Sequence, residues 1–139
     1  MKKHFARSAF LYAALAMVCG VFYREYTKFL GYTGQTTLSV MHTHYFLLGM
    51  TLSLLLLAVE QSLAFMPSRG SWKILALYHG GLNLTCLGLL LRGLSQAQGA
   101  ALSRGLDASL SGVSGIGHAL LGGSVLWMLW RVCKASKTK

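Results

Sequence analysis

The sequence predicts an all-α integral membrane protein, a bundle of four transmembrane helices, and three observations carry that reading. The chain is 54% hydrophobic and 12% charged, with a mean hydropathy of +0.52, a balance unlike that of soluble domains. Its apolar residues gather in four stretches, Phe10 to Tyr23, Val40 to Met66, Ile74 to Leu91 and Leu110 to Trp130, each meeting or approaching the roughly 20 residues a bilayer core demands. The stretches are continuous rather than alternating and too long for barrel strands, which leaves helices as the way to satisfy a backbone in hydrocarbon. At 139 residues the chain is one domain, with spans expected over 8–28, 37–63, 73–93 and 108–131 and a basic cytoplasmic tail over 132–139.

The first span is short and borrows its flanks. Its start, "MKKHFARSAFLYAALAMVCG", has the basic head and apolar middle of a secretory signal, but bulky Val18 stands where processing favours a small residue, and helix-forming residues continue past Cys19. A retained helix is the expectation. The sole carboxylate within the four apolar stretches is Glu60, near the end of the second. The third and fourth are bounded by arginines and by glycine-containing loops.

Net charge is +10, and its distribution speaks for topology rather than for nucleic acid. With four spans, both termini share a side with the Pro67-to-Lys73 loop, and that side carries Lys2, Lys3, Arg7, Arg69, Lys73, Arg131, Lys134, Lys137 and Lys139. The other side has only Arg24, Lys28, Arg92 and Arg104. This is the positive-inside pattern, which predicts a multi-pass membrane protein with both termini cytoplasmic. The same basic surface suits contact with anionic lipid.

Three cysteines, Cys19, Cys86 and Cys133, have no paired spacing, and no Cys-x-x-Cys-His run for covalent haem occurs. Phosphate-cradling glycine loops, a Gly-x-Ser-x-Gly elbow and a His-Glu-x-x-His motif are also missing from the sequence, so no catalytic residue is assigned and enzyme status is left open. What stands out is histidine. His4 falls in the cytoplasmic tail, where it is expected to be solvated, while His42, His44, His79 and His118 lie within or at the edge of spans, where an ionisable group is costly and points to function.

Counting about 1.5 Å per residue from the cytoplasmic helix ends places His44 roughly 27 Å up, His118 about 20 Å and His79 about 9 Å. His42, His44 and His118 therefore belong to the outer half. His79 stands alone in the inner half, where a packing hydrogen bond to Tyr or Asn side chains such as Asn83 is expected. Residues two apart diverge by about 200° around a helix, so His42 and His44 cannot readily chelate one ion. Zinc would favour an i, i+4 pair or extra Cys and carboxylate ligands. Two imidazoles on opposite faces suit two haem irons, or one iron reached from neighbouring helices.

Around His118 the small residues Ser114, Gly115 and Gly122 would admit a porphyrin or another backbone. The series Gly115, Ala119 and Gly123 equally suits plain helix packing. Arg24 and Arg92, at the outer ends of the first and third spans, are candidates for pairing with haem propionates, against the competing reading of snorkelling interfacial side chains.

The stretches "GVFYREYTKFLGYTGQTTLSVMHTHYFLLGM", "LRG" at 91–93 and "GVSGIGHALL" at 112–121 resemble the bacterial domain-of-unknown-function family 2871 of small four-span membrane proteins. That resemblance implies the topology and draws attention to Arg24, Glu25, His42, His44, Arg92 and His118, without assigning roles. The His-x-His at the head of a span is also similar to the haem-bearing helix of haem-copper oxidase catalytic subunits, in which histidines one residue apart serve two haems. Those subunits have twelve spans, which three copies of this chain would match. The adjacent His-His pair and the His-Pro-Glu run that mark a copper centre there are missing here.

The expectation is a cytochrome-like membrane protein binding haem b through two histidines, with His42, His44 and His118 as iron-ligand candidates and a role in electron transfer or in redox or gas sensing. A homotrimer sharing each haem between His42 of one chain and His44 of its neighbour is favoured. The competing arrangement holds one haem inside each protomer, between His42 or His44 and His118. Alternatives are a haemless copper- or zinc-binding or transport protein, a quinone-linked oxidoreductase with a pocket near Tyr45 or Tyr23, and a purely structural partner protein.

Overall fold

The computed structural model describes residues 1–66 and 70–137. Four helices, α1 (Lys2–Phe29), α2 (Leu38–Leu63), α3 (Ser71–Ala97) and α4 (Arg104–Ser136), are each long and apolar enough to cross a membrane. Among the described residues there is no strand. The chain is an all-α, multi-pass membrane protein.

The helices outrun the hydrophobic stretches. The 28 residues of α1 span about 42 Å by helix rise, against a hydrocarbon core of about 30 Å, so Lys2, Lys3 and Arg7 sit on extra turns of helix. The tail expected from residue 132 is likewise helical as far as Ser136, because no proline or glycine interrupts it after Gly123. Arg69 and Lys139, two of the basic residues in the charge argument, lie outside the described residues.

Ends are set by local chemistry. Gly31 (φ 62°) and Gly99 (φ 64°) turn the chain just after α1 and α3, in a conformation glycine adopts without penalty. At the end of α2, Ala64 is left-handed (φ 45°). There the buried Glu60 carboxylate accepts from the Met66 amide at 3.0 Å. This acid, near the end of an apolar run, thus serves as a backbone partner at the helix end. Ser103 caps α4, accepting from Leu106 N at 3.4 Å.

Two helix seams depend on missing side chains. Where α3 crosses α4, a Cβ on Gly81 would stand 2.5 Å from the Leu121 amide nitrogen, and one on Gly117 would stand 2.7 Å from Thr85. The buried face of α4 is therefore Gly117, Leu121, Ser124 and Met128. Gly115, Gly122 and Gly123 meet nothing within 4 Å and Ala119 is exposed. The packing series expected at Gly115, Ala119 and Gly123 is thus not the one in use, since the seam runs one face round the helix. Where α1 meets α2, Gly49 admits the Tyr12 ring, with a Cβ there falling 2.5 Å from Tyr12 Cγ.

The N-terminal end of α2 is clamped to α3. Thr36 Oγ1 donates to the Gly93 carbonyl at 2.8 Å, Thr37 Oγ1 donates to the Leu89 carbonyl at 2.7 Å, and the Thr37 amide donates to Gln96 Oε1 at 2.8 Å. Immediately below the His-x-His pair, residues Tyr45–Thr51 form a widened π-helical stretch, a form that recurs at functional positions. The Leu48 carbonyl in this stretch accepts from the Tyr78 hydroxyl of α3.

Substitution separates the glycine faces. Gly81→Val is expected to lower stability by about 1–3 kcal/mol through overpacking at the seam, whereas Gly115→Ala is expected to leave it unchanged or slightly raised. Unfolding in one detergent checks both, and equal behaviour of the two variants contradicts the seam assignment.

Candidate functional site

The Thr36–Thr37 clamp and the widened turn position the first two turns of α2, and the two histidines on those turns leave in different directions. His42 lies against α1, where a Cβ on Gly20 would sit 3.7 Å from its Cγ, and its Nδ1 is buried with no hydrogen-bond partner. His44 turns to α4 and meets His118, with ring centres 6.2 Å apart and planes at 87°. The divergence expected from helix geometry is what the fold displays. It brings His44 and His118 together and leaves His42 on the far side of its own helix.

His44 and His118 share a second property. Each Nδ1 lies 2.8 Å from the carbonyl four residues earlier on its own helix, Val40 for His44 and Ser114 for His118. A carbonyl can only accept, so Nδ1 carries the proton and the neutral ring keeps its lone pair on Nε2. Both imidazoles are thereby oriented and both have a ligating nitrogen available, as metal-binding histidines do. His44 is half-buried and His118 is exposed on the bundle surface. Beside His118, Gly112, Gly115 and Gly122 leave α4 bare.

The two arginines differ. Arg92 donates to Asp107 Oδ1 and to Ser111 Oγ, each at 2.8 Å, tying the C-terminal end of α3 to the N-terminal end of α4. Arg24 is exposed, with Glu25 beside it at 3.7 Å.

The half of the bundle nearer the two chain termini holds a second polar group, of which the sequence predicts only part. His79 Nδ1 lies 2.7 Å from the Tyr12 hydroxyl, and its Nε2 lies 2.9 Å from His4 Nε2. Asn83 does not bond the His79 ring. Its amide nitrogen donates to the His79 backbone carbonyl at 2.8 Å and to the Tyr12 oxygen at 3.2 Å, while its oxygen accepts from the Tyr45 hydroxyl at 3.1 Å. His4, expected to be solvated, instead belongs to α1 and packs half-buried between His79 and Trp72. The early start of α1 is the reason, since it places the fourth residue on a helical turn facing α3. The signal in the sequence was the i, i+4, i+8 spacing of His4, Ser8 and Tyr12, one polar stripe on a helix face.

Two clefts flank these groups. One, of about 520 Å³, lies against Leu15, Cys19, Phe22, Met41, Tyr45, Asn83 and Cys86 between α1, α2 and α3. The other, of similar volume, lies at the end of the bundle away from the chain termini, beside Tyr23, Gln35, Thr37 and Gln96. Among the described residues, no group of three or more His, Cys, Asp or Glu side chains is placed to hold a metal ion by itself.

Among known proteins, a family model described as a protein of unknown function (DUF2871) matches residues 1–135. No curated protein and no solved structure matches the chain.

Removing one hydroxyl tests the inner network. Tyr12→Phe deprives both His79 and Asn83 of a partner and is expected to cost about 1–3 kcal/mol. Denaturation of variant and wild type in the same detergent measures the difference, and identical stabilities contradict the network.

Proposed function

The chain belongs to the DUF2871 family, whose description assigns no activity, and we propose that it is a membrane b-type haem protein for electron transfer or redox sensing, with iron held between His44 and His118. The observation that carries this is the 6.2 Å between their ring centres. Two imidazoles on opposite sides of one iron, each at a bond of about 2 Å, have ring centres a little over about 6 Å apart. The Nδ1–carbonyl bonds leave Nε2 of each ring as the nitrogen that would hold the metal. Two protein ligands suffice because a porphyrin brings four nitrogens of its own. A bare copper or zinc ion needs more donors, and the residues around His44 and His118 do not supply them.

The surroundings suit a flat ring. The bare stretch of α4 at Gly112, Gly115 and Gly122 has room for it beside His118. Ser111 lies seven residues before His118, about 10 Å away by helix rise. Arg92, bonded to Ser111, is therefore the better candidate to meet propionates, in exchange for Asp107. Arg24 is the weaker one. An iron with imidazole on both sides has no open position, which favours electron transfer over gas binding.

The internal pairing takes His44 away from any neighbour's His42, so we place one haem in each protomer rather than at the interfaces of a trimer. Homo-oligomerisation remains within the proposal, and so does an orientation with the basic ends in the bacterial cytoplasm. A quinone-linked role is the second reading. The cleft beside Tyr45 and Asn83 favours it, and quinol-driven haem reduction distinguishes it.

Protein expressed with ample haem is expected to carry haem b that acid acetone extracts, with a low-spin spectrum when reduced. His44→Ala and His118→Ala are each expected to abolish that spectrum, while His79→Ala retains it. Loss in His42→Ala with His118→Ala intact would restore the shared-interface arrangement, and colourless protein overturns the haem reading.

A further inference from the structure

The line Tyr45, Asn83, Tyr12, His79 and His4 has no part in holding haem, yet its donors can be ordered from one end to the other. The Asn83 nitrogen is identified by its bond to a backbone carbonyl. It therefore donates to the Tyr12 oxygen, and the Tyr12 proton is free to go to His79 Nδ1, 2.7 Å away. His79 then carries its proton on Nε2 and donates to His4 Nε2 across 2.9 Å. Tyr45 closes the other end by donating to the Asn83 oxygen. In the neutral line every donor points toward His4.

Adding one proton to His79 keeps both of its ring nitrogens paired. The imidazolium donates through Nε2 to His4 and through Nδ1 to the Tyr12 oxygen, and only the phenol O–H must turn. Inside a span an ionisable side chain rarely has partners for both of its protonation states, and such groups mark proton paths. An entry route is present. His4 is half-buried on the first turn of α1, at the basic end. In the tautomer with the shared proton on His4 Nε2 and His79 protonated at Nδ1, a hydronium ion at the basic end gives its proton to His4 Nδ1 and leaves as water, and the Nε2 proton crosses to His79 Nε2. His4 is left neutral, one proton has entered, and His79 holds one positive charge.

The titratable and charged groups around His79 set the conditions. His4 and Tyr12 face it from α1, and Tyr78 on its own helix has its ring centre 4.9 Å away. From α2 come Tyr45, stacked behind Tyr12, and Glu60 at the inner end, with its carboxylate bonded to the Met66 amide. From α4, Arg131 reaches the Phe65 carbonyl at that same end.

We propose that His79 is a proton-loading site within the span, filled from the basic end of the bundle through His4, and that its charge balances the charge lost or gained at the His44–His118 site. The second half rests on the haem reading, and the first does not.

The test uses the full chain in lipid nanodiscs with ¹⁵N-labelled histidine. On acidification the His79 ring nitrogens are expected to pass from one protonated and one bare to both protonated, and His4→Phe is expected to slow that change at least tenfold. A His79 ring that stays neutral throughout the range in which the protein is folded, or loading that is indifferent to His4→Phe, overturns the site. In haem-loaded protein the midpoint potential is expected to fall by up to about 59 mV per pH unit, the value for one proton per electron. His79→Gln is expected to flatten that slope with the haem spectrum intact. An equal slope in both proteins overturns the coupling, whereas colourless protein defeats the haem reading and leaves the proton site to the nitrogen measurement. If His79→Gln does not fold, His4→Phe, which keeps the Tyr12–His79 bond, is read in its place.

Discussion

In hydrocarbon a polar group has no water to turn to, and each must be answered from within the protein. That constraint organises this bundle. Thr36 and Thr37 spend their hydroxyls on α3 carbonyls, which fastens the entry of α2. Glu60 is tolerated in a span because a backbone amide at the helix end needs an acceptor. His44 and His118 turn one nitrogen inward to their own helices, and that local bond aims the other nitrogen outward. The same demand joins Tyr12, His79 and His4 into one line across two helices.

Four helices and their order were legible in the hydrophobic runs, since a continuous apolar stretch without proline has little choice but to be helical in a bilayer, where even its glycines are held by the intrahelical hydrogen bonds. Helix ends were less legible. Hydropathy falls where charge begins, but helical propensity does not, so Lys2 and Lys134 remain on helical turns beyond the apolar run. Which glycines pack was not legible either. Gly115, Ala119 and Gly123 have the same spacing as a packing face, yet the neighbour lies against Gly117 and Leu121, a choice made by the path of the chain between α3 and α4.

The site was legible in part. The opposed directions of His42 and His44 follow from a period of 3.6 residues and needed no structure. That His44 rather than His42 would meet His118 depended on the rotation of α2 against α3, which the threonine clamp determines through tertiary contacts. His4 was missed because a basic, terminal stretch reads as solvated. Burial there comes from Phe5, which stacks on Phe65 and draws its neighbour in with it.

The widened turn of α2 has a consequence for how the helix can change. A stretch bonded i to i+5 lodges an extra residue, so the helix above Tyr45 and the helix below Thr51 are out of phase with each other. Above it, the register is keyed to His118 on one side and Gly20 on the other. Below it, Ser53, Leu56 and Glu60 are keyed to the bundle interior. One helix thus serves two neighbourhoods that a uniform spiral would not satisfy together. Substitutions within the stretch that keep its length are compatible with both registers, while the loss of a single residue brings the halves into one phase and turns either the histidines or the core away from what they face.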